Sequence, residues 1–159
     1  MKAVNAKTER IFRAAISMMD ARPYYPGTHT TPSHIKIGET NKTFMPLVVE
    51  RIGARPSPDE NLAVMPDGKT YETYSFAHYY TQNGDAMRDP EVCLLDMGPG
   101  QLIPYYYLQD GLGIENDYLE QPNPRLQADL ADFCSLWAKT LMDQQPDLAA
   151  QVNKEAVPV

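Results

Sequence analysis

The chain has 159 residues, 43% of them hydrophobic, and a net charge of −7. That is enough for one domain with its own core and too little for two ordinary ones. An acidic surface repels phosphate backbones, so direct nucleic-acid binding is not expected, and no apolar run approaches the length of a membrane span.

Two cysteines, Cys93 and Cys134, lie far apart without a Cys-x-x-Cys pair, which argues against a disulfide framework or a structural zinc site. The N-terminal apolar run is broken by Arg13 and closes on Asp20 without a cleavage pattern, so the expected location is the cytoplasm. The charge is uneven. Residues 1–84 carry ten Lys/Arg against eight Asp/Glu, residues 85–132 two against ten, and residues 133–159 two against three.

In chain order, residues 6–20 place Ile11, Ala15 and Met18 on one helical stripe with Phe12 and Met19 beside it, the spacing of a core-facing helix. A Pro- and hydroxyl-rich loop follows, and His29 and His34 in it read as solvated histidines. Residues 34–53 read as two short strands joined near residues 39–42, with Pro46 marking an edge or a bulge. Residues 53–70 read as an exposed excursion.

"TYETYSFAHYY" alternates, with Tyr74, Phe76, His78 and Tyr80 on one face and Thr73, Ser75, Ala77 and Tyr79 on the other. "EVCLLDM" and "QLIPYYYLQD" are two further strands, and the three together form an antiparallel meander. Asn123 caps a last helix with Pro124 in its first turn, carrying Leu126, Leu130, Phe133, Trp137 and Leu141 inward until Pro146. The expected fold is α+β: an antiparallel sheet with N- and C-terminal helices packed on one face. Residues 1–145 form the domain, and residues 146–159 lack the apolar periodicity to pack and read as a mobile tail.

The stretches "MPLVVERIG" (45–53), "AHYYTQNGDAMRDPE" (77–91), "PYYYLQDGLG" (104–113) and "LQADLADFCSLWAKTL" (126–141) resemble a family of small proteins of unknown function encoded by bacterial phages, plasmids and integrative elements. The resemblance implies an accessory role in mobile-element biology inside a bacterial cytoplasm and implies no reaction.

The chemistry-bearing stretch is "HYYTQNGDAMRDPE". A metal site there would draw on His78, Asp85, Asp89 and Glu91, but the spacing matches neither an EF-hand nor a nuclease core, where Cys93 stands in the lysine's place. Read as a turn, more of its residues find a use: Gly84 after Asn83 takes positive φ, Asp85 and Asp89 accept backbone N–H bonds, Arg88 pairs between them, and Pro90 closes the bend. Ser75 and His78 point to opposite faces and cannot act as a nucleophile pair. Both cysteines read as core residues.

Ten tyrosines cannot all face one core, and exposed tyrosine is a favourable contact residue. The leading expectation is therefore a non-enzymatic binding protein without cofactors. It engages an unidentified protein with a basic surface through Tyr79, Tyr80, Gln82, Asn83, Asp85, Arg88, Asp89, Glu91, Tyr105 and Tyr107. The alternatives are a metal-dependent hydrolase or nuclease-like enzyme, and a homo-oligomeric structural module.

Overall fold

The computed structural model describes residues 1–22, 33–40, 43–52 and 71–156. The Asn5 side chain accepts the Thr8 N–H and opens helix α1 (Ala6–Asp20), satisfying one of the donors that a helix start leaves unpaired. The inward stripe expected from the spacing is the buried one, with Ile11, Phe12, Ala15 and Met19 in the core.

Six strands follow: β1 (His34–Ile37), β2 (Leu47–Arg51), β3 (Thr73–Gln82), β4 (Asp85–Asp96), β5 (Leu102–Gln109) and β6 (Ile114–Asp117). They form one sheet in sequential order, every neighbouring pair antiparallel. Pro46 precedes the interior strand β2 and lies outside its ladder, where the missing N–H does no harm. The excursion expected at 53–70 lies outside the described residues, as does His29.

Helix α2 (Pro124–Gln144) starts as its sequence indicates, with Asn123 accepting the Leu126 N–H. Leu126 itself is exposed, because Gln127 takes the inward place beside it. Gln127 is buried and fully satisfied, accepting the Lys2 N–H and donating to the carbonyls of Lys2 and Pro104. One side chain thus fastens the N-terminal segment and β5 to α2.

Residues 146–156, expected as a mobile tail, instead form helix α3 (Pro146–Ala156). Pro146 has no N–H to continue α2 and a φ suited to the first turn of a new helix, so the same residue ends one and begins the next. Leu148 and Val152, one turn apart, are both buried in the main core. Two anchors are too few to register as a periodic pattern but suffice against the surfaces of α1 and α2.

Both ends of the helical layer are tied to the sheet. Arg13 donates to Glu9, to both oxygens of Asp96 and to the Gly98 carbonyl, joining α1 to the β4–β5 turn. Burial pushes the Asp96 carboxyl up, but the bonds from Arg13 and the Gly98 N–H outweigh it and hold it below its ordinary value. At the α2–α3 joint, buried Gln145 donates to the Met45 carbonyl and its amide oxygen sits against Gly38, whose φ is +84°.

A Cβ at Gly38 would lie 1.9 Å from that oxygen, and Gln145 can yield only by giving up its bond to Met45. Gly38→Ala should therefore lower stability by about 2–4 kcal/mol in urea unfolding, from the left-handed backbone and the displaced amide together. A midpoint equal to wild type would show the joint to be slack. Gln127→Leu should cost about 2–3 kcal/mol in the same measurement, because it strands the Lys2 N–H and two carbonyls.

Candidate functional site

The main core lies between the helices and one face of the sheet, which supplies Leu47, Val49, Tyr74, Phe76, Val92, Leu94 and Leu102. The opposite face, here the far face, carries a second cluster of Cys93, Leu95, Ile103 and Tyr105, with Tyr71, Met97, Tyr106 and Leu119 packed against it. Its functional features come from where the alternation of β3, β4 and β5 breaks.

The stretch at 78–91 is the end of a long hairpin and not a loop. Asn83 (φ 53°) and Gly84 (φ 85°) make a two-residue turn with both φ positive, the geometry that matches strand twist. β4 resumes at once with Asp85 opposite Gln82. The ladder then slips: Tyr79 faces Arg88 and Ala77 faces Glu91, so His78 on one strand opposes Asp89 and Pro90 on the other.

A bulge of this kind re-aims side chains. His78 points into the helix-facing core, edge-on to Trp137 at 5.6 Å with Nδ1 donating to the Pro46 carbonyl. Glu91 lies on the far face, accepting from Ser75 at 2.7 Å and from Arg88 at 3.1 Å. Asp85 is exposed beside the turn. The four residues of the metal alternative are thus split between two faces and a hairpin tip, and among the described residues no group of three or more His, Cys, Asp or Glu is placed to hold a metal.

Arg88 pairs differently from the expected bridge between Asp85 and Asp89. Its backbone N–H and Nε both donate to Asp110, which stands in a 3-10 turn (Asp110–Leu112) between β5 and β6. The Arg88 bonds, backbone first, hold the Asp110 carboxyl below its ordinary value. Burial disfavours the Arg88 charge, but Asp110 and Glu91 more than compensate and it is raised.

A second slip, between Cys93 and Leu94, sets Cys93 opposite Tyr106 and Leu94 opposite Pro104. Tyr105 is the extra residue and is 1% exposed, so it offers no contact surface. Tyr107 turns to the helices, edge-on to Phe133 at 5.5 Å and donating to Gln109. Strict alternation pairs Tyr105 with Tyr107. The bulge instead gives the far face Tyr105 and Tyr106, and Tyr106, which the alternation leaves out, is the one reaching the surface, its hydroxyl donating to Glu115 at 2.8 Å.

Around this network run two shallow depressions. One of about 310 Å³ is lined by His34, Lys36, Val48, Glu50, Tyr79 and Ala86, the other, about 190 Å³, by Ile52, Glu91, Cys93, Tyr105 and Tyr106. Burial raises Tyr79, with Glu91 and Glu50 adding to it. Burial and Glu115 raise Tyr106 in the same way. Both hydroxyls therefore stay protonated near neutrality. Burial also raises the Cys134 thiol well above its ordinary value, so it supplies no thiolate.

Gln82, Asn83 and Asp85 are exposed at the hairpin tip, while Tyr80 is half-buried with its hydroxyl against Gly111. Asp89 is half-buried and acts on His78 and Tyr107 through its charge. The residues that the motif reading missed are Asp110 and Glu115. Their signal was the run of acidic residues after 85, with Asp110 read as the end of a strand and no strand recognised to place Glu115.

These features define an α+β protein whose six-stranded antiparallel sheet is covered by helices on one face and carries a tyrosine–carboxylate network on the other. The chain belongs to the family described as a domain of unknown function (DUF6908), whose model matches residues 10–146. No curated protein and no solved structure matches the chain.

Burial lowers His78 below its ordinary value, partly opposed by the Pro46 carbonyl and Asp89. The unfolded chain therefore binds this proton more readily than the folded one. The stability so gained is present above the ordinary histidine value of about 6.5 and is lost as pH falls below it. Melting temperature should drop between pH 7.5 and pH 5, and His78→Leu should flatten that drop. Parallel curves for the two proteins would assign the dependence elsewhere.

Proposed function

We propose that this is a non-enzymatic binding protein of a bacterial mobile genetic element, acting in the cytoplasm, that engages a protein partner with a basic surface through the far face of its sheet. One arrangement carries the reading. Tyr79 and Tyr106 sit among Glu50, Glu91 and Glu115 on one face, beside an Arg88 whose charge is already taken up by Asp110 and Glu91.

Such a surface offers large aromatic area at low entropy cost and mostly acceptors for a cationic partner to meet. The excess of ten Asp/Glu over two Lys/Arg in residues 85–132 suits a partner that itself grips a phosphate backbone. The mobile-element setting is supported by the resemblance of the stretches at 45–53, 77–91, 104–113 and 126–141 to small proteins of phages and plasmids. The split of His78, Asp85 and Glu91 between faces leaves the metal-dependent reading without a favouring observation.

The test is photo-crosslinking in bacterial cells from residues placed at Tyr79 and at Tyr106, with Leu136 on the outer side of α2 as control. One protein should be captured from the first two positions only, and Glu115→Lys combined with Glu50→Lys should reduce capture by about 10-fold or more. The purified complex should weaken steeply between about 0.1 and 0.5 M salt and give way to duplex DNA. A complex indifferent to charge reversal, salt and DNA would overturn the reading.

A further inference from the structure

The helical side of the molecule holds a separate feature. Where α1, α2 and α3 meet there is an open cleft of about 580 Å³, within the ~300–1,000 Å³ range of small-molecule sites. Its floor is apolar, formed by Ile11, Met142 and Val152, and three cations stand on its rim: Lys7 and Arg10 from α1, and Lys139 from α2.

We infer that this cleft is a binding site for a small amphiphilic anion, with an apolar chain on the floor and a phosphate or carboxylate between the three cations. The placement of the charges carries the inference. Lys7 and Arg10 are three residues apart on one helix face, where like charges repel. Lys7 also stands in the first turn of α1, where the helix dipole disfavours cations.

A neighbouring carboxylate would relieve this, as Glu9 and Asp96 do for Arg13. Yet neither Lys7, Arg10 nor Lys139 makes an ion pair or side-chain hydrogen bond among the described residues. Asp143 is the single carboxylate among the cleft's own lining residues, against three cations, while Glu9 and Glu155 line the adjoining hollow that Arg10 shares, in a chain whose net charge is −7.

The fold alone does not require this arrangement: glutamate at position 7 would suit the helix end better. An anion seated in the cleft satisfies all three cations at once, and the apolar floor gives its chain a dry surface. The wall provided by α3 begins where the family match ends at residue 146. The site also lies on the other side of the sheet from the proposed partner surface, so the two readings stand or fall separately.

Calorimetry and methyl NMR on the full chain test the inference. The probes are dodecyl phosphate and dodecanoate below their micellar concentrations, with dodecyltrimethylammonium as the same chain of opposite sign. Both anions should bind once per chain, move the Ile11, Met142 and Val152 methyl signals, and bind about 10-fold or more tighter than the cation. The tighter of the two anions identifies the headgroup.

Arg10→Glu and Lys139→Glu should each weaken anion binding by about 5-fold or more. Arg10→Glu removes the like-charge pair with Lys7 and should leave the melting temperature equal or higher, which separates lost binding from lost folding. The inference is overturned by equal affinity for the anions and the cation, by charge-reversed variants that bind as wild type does, or by the absence of saturable shifts at the three methyl groups.

Discussion

The arrangement of this molecule depends on one aromatic contact line. Phe12 of α1 lies 4.8 Å from Phe76 of β3 and 6.2 Å from Trp137 of α2, Trp137 meets His78 edge-on, and Phe133 continues the line to Tyr107 of β5. Four elements distant in sequence share this contact. Ring pairs offset or edge-on at these separations are favourable beyond the area they bury. The line decides which face of β3 the helices cover, and because strand side chains alternate, it also decides what the other face receives.

The far face therefore takes the residues left over by that choice, modified by two slips of register. Without the irregularity at His78, the spacing from Ala77 to Tyr79 and from Arg88 to Glu91 would not bring Arg88 and Glu91 to the same side. Without the extra residue at Tyr105, the third strand would present a different tyrosine beside Glu115. A bulge costs one unpaired residue in the ladder and in return redirects the side chains beyond it. Here one bulge falls in the seam of β4 with β3 and the other in its seam with β5, and the tyrosine–carboxylate network lies along them.

The limits of the sequence follow from the same geometry. Helices α1 and α2 were legible because a 3.6-residue stripe and an N-cap are local signals: Ile11, Phe12 and Ala15 in one, and Asn123, Pro124 and Trp137 in the other. The meander and the α+β class were legible for the same reason. The bulges were not, because nothing in "RDPE" or "PYYYLQ" marks which residue will be extra; that is settled by the partner strand. β6 is four residues long and largely polar, and α3 has two anchors one turn apart, so neither shows the periodicity by which an element is recognised. Missing β6 left Glu115 without a place, and reading Asp110 as the end of a strand hid the 3-10 turn that brings it to Arg88, which is why the acidic run was visible while its convergence with Arg88 and Tyr106 was not.

The hydrogen-bond directions in the network have a consequence for the proposed partner. Tyr106 spends its donor on Glu115, Ser75 spends its donor on Glu91, and Arg88 directs one side-chain N–H to Glu91 and one to Asp110. Three donor groups are therefore engaged within the surface, while each carboxylate retains lone pairs directed elsewhere. A surface left with acceptors meets arginine and lysine favourably and meets another carboxylate or a phosphate unfavourably. Selectivity for a basic protein would then come as much from the exclusion of acidic partners as from attraction. The Tyr106 hydroxyl keeps donating to Glu115 across the physiological pH range, since tyrosine does not ionise there.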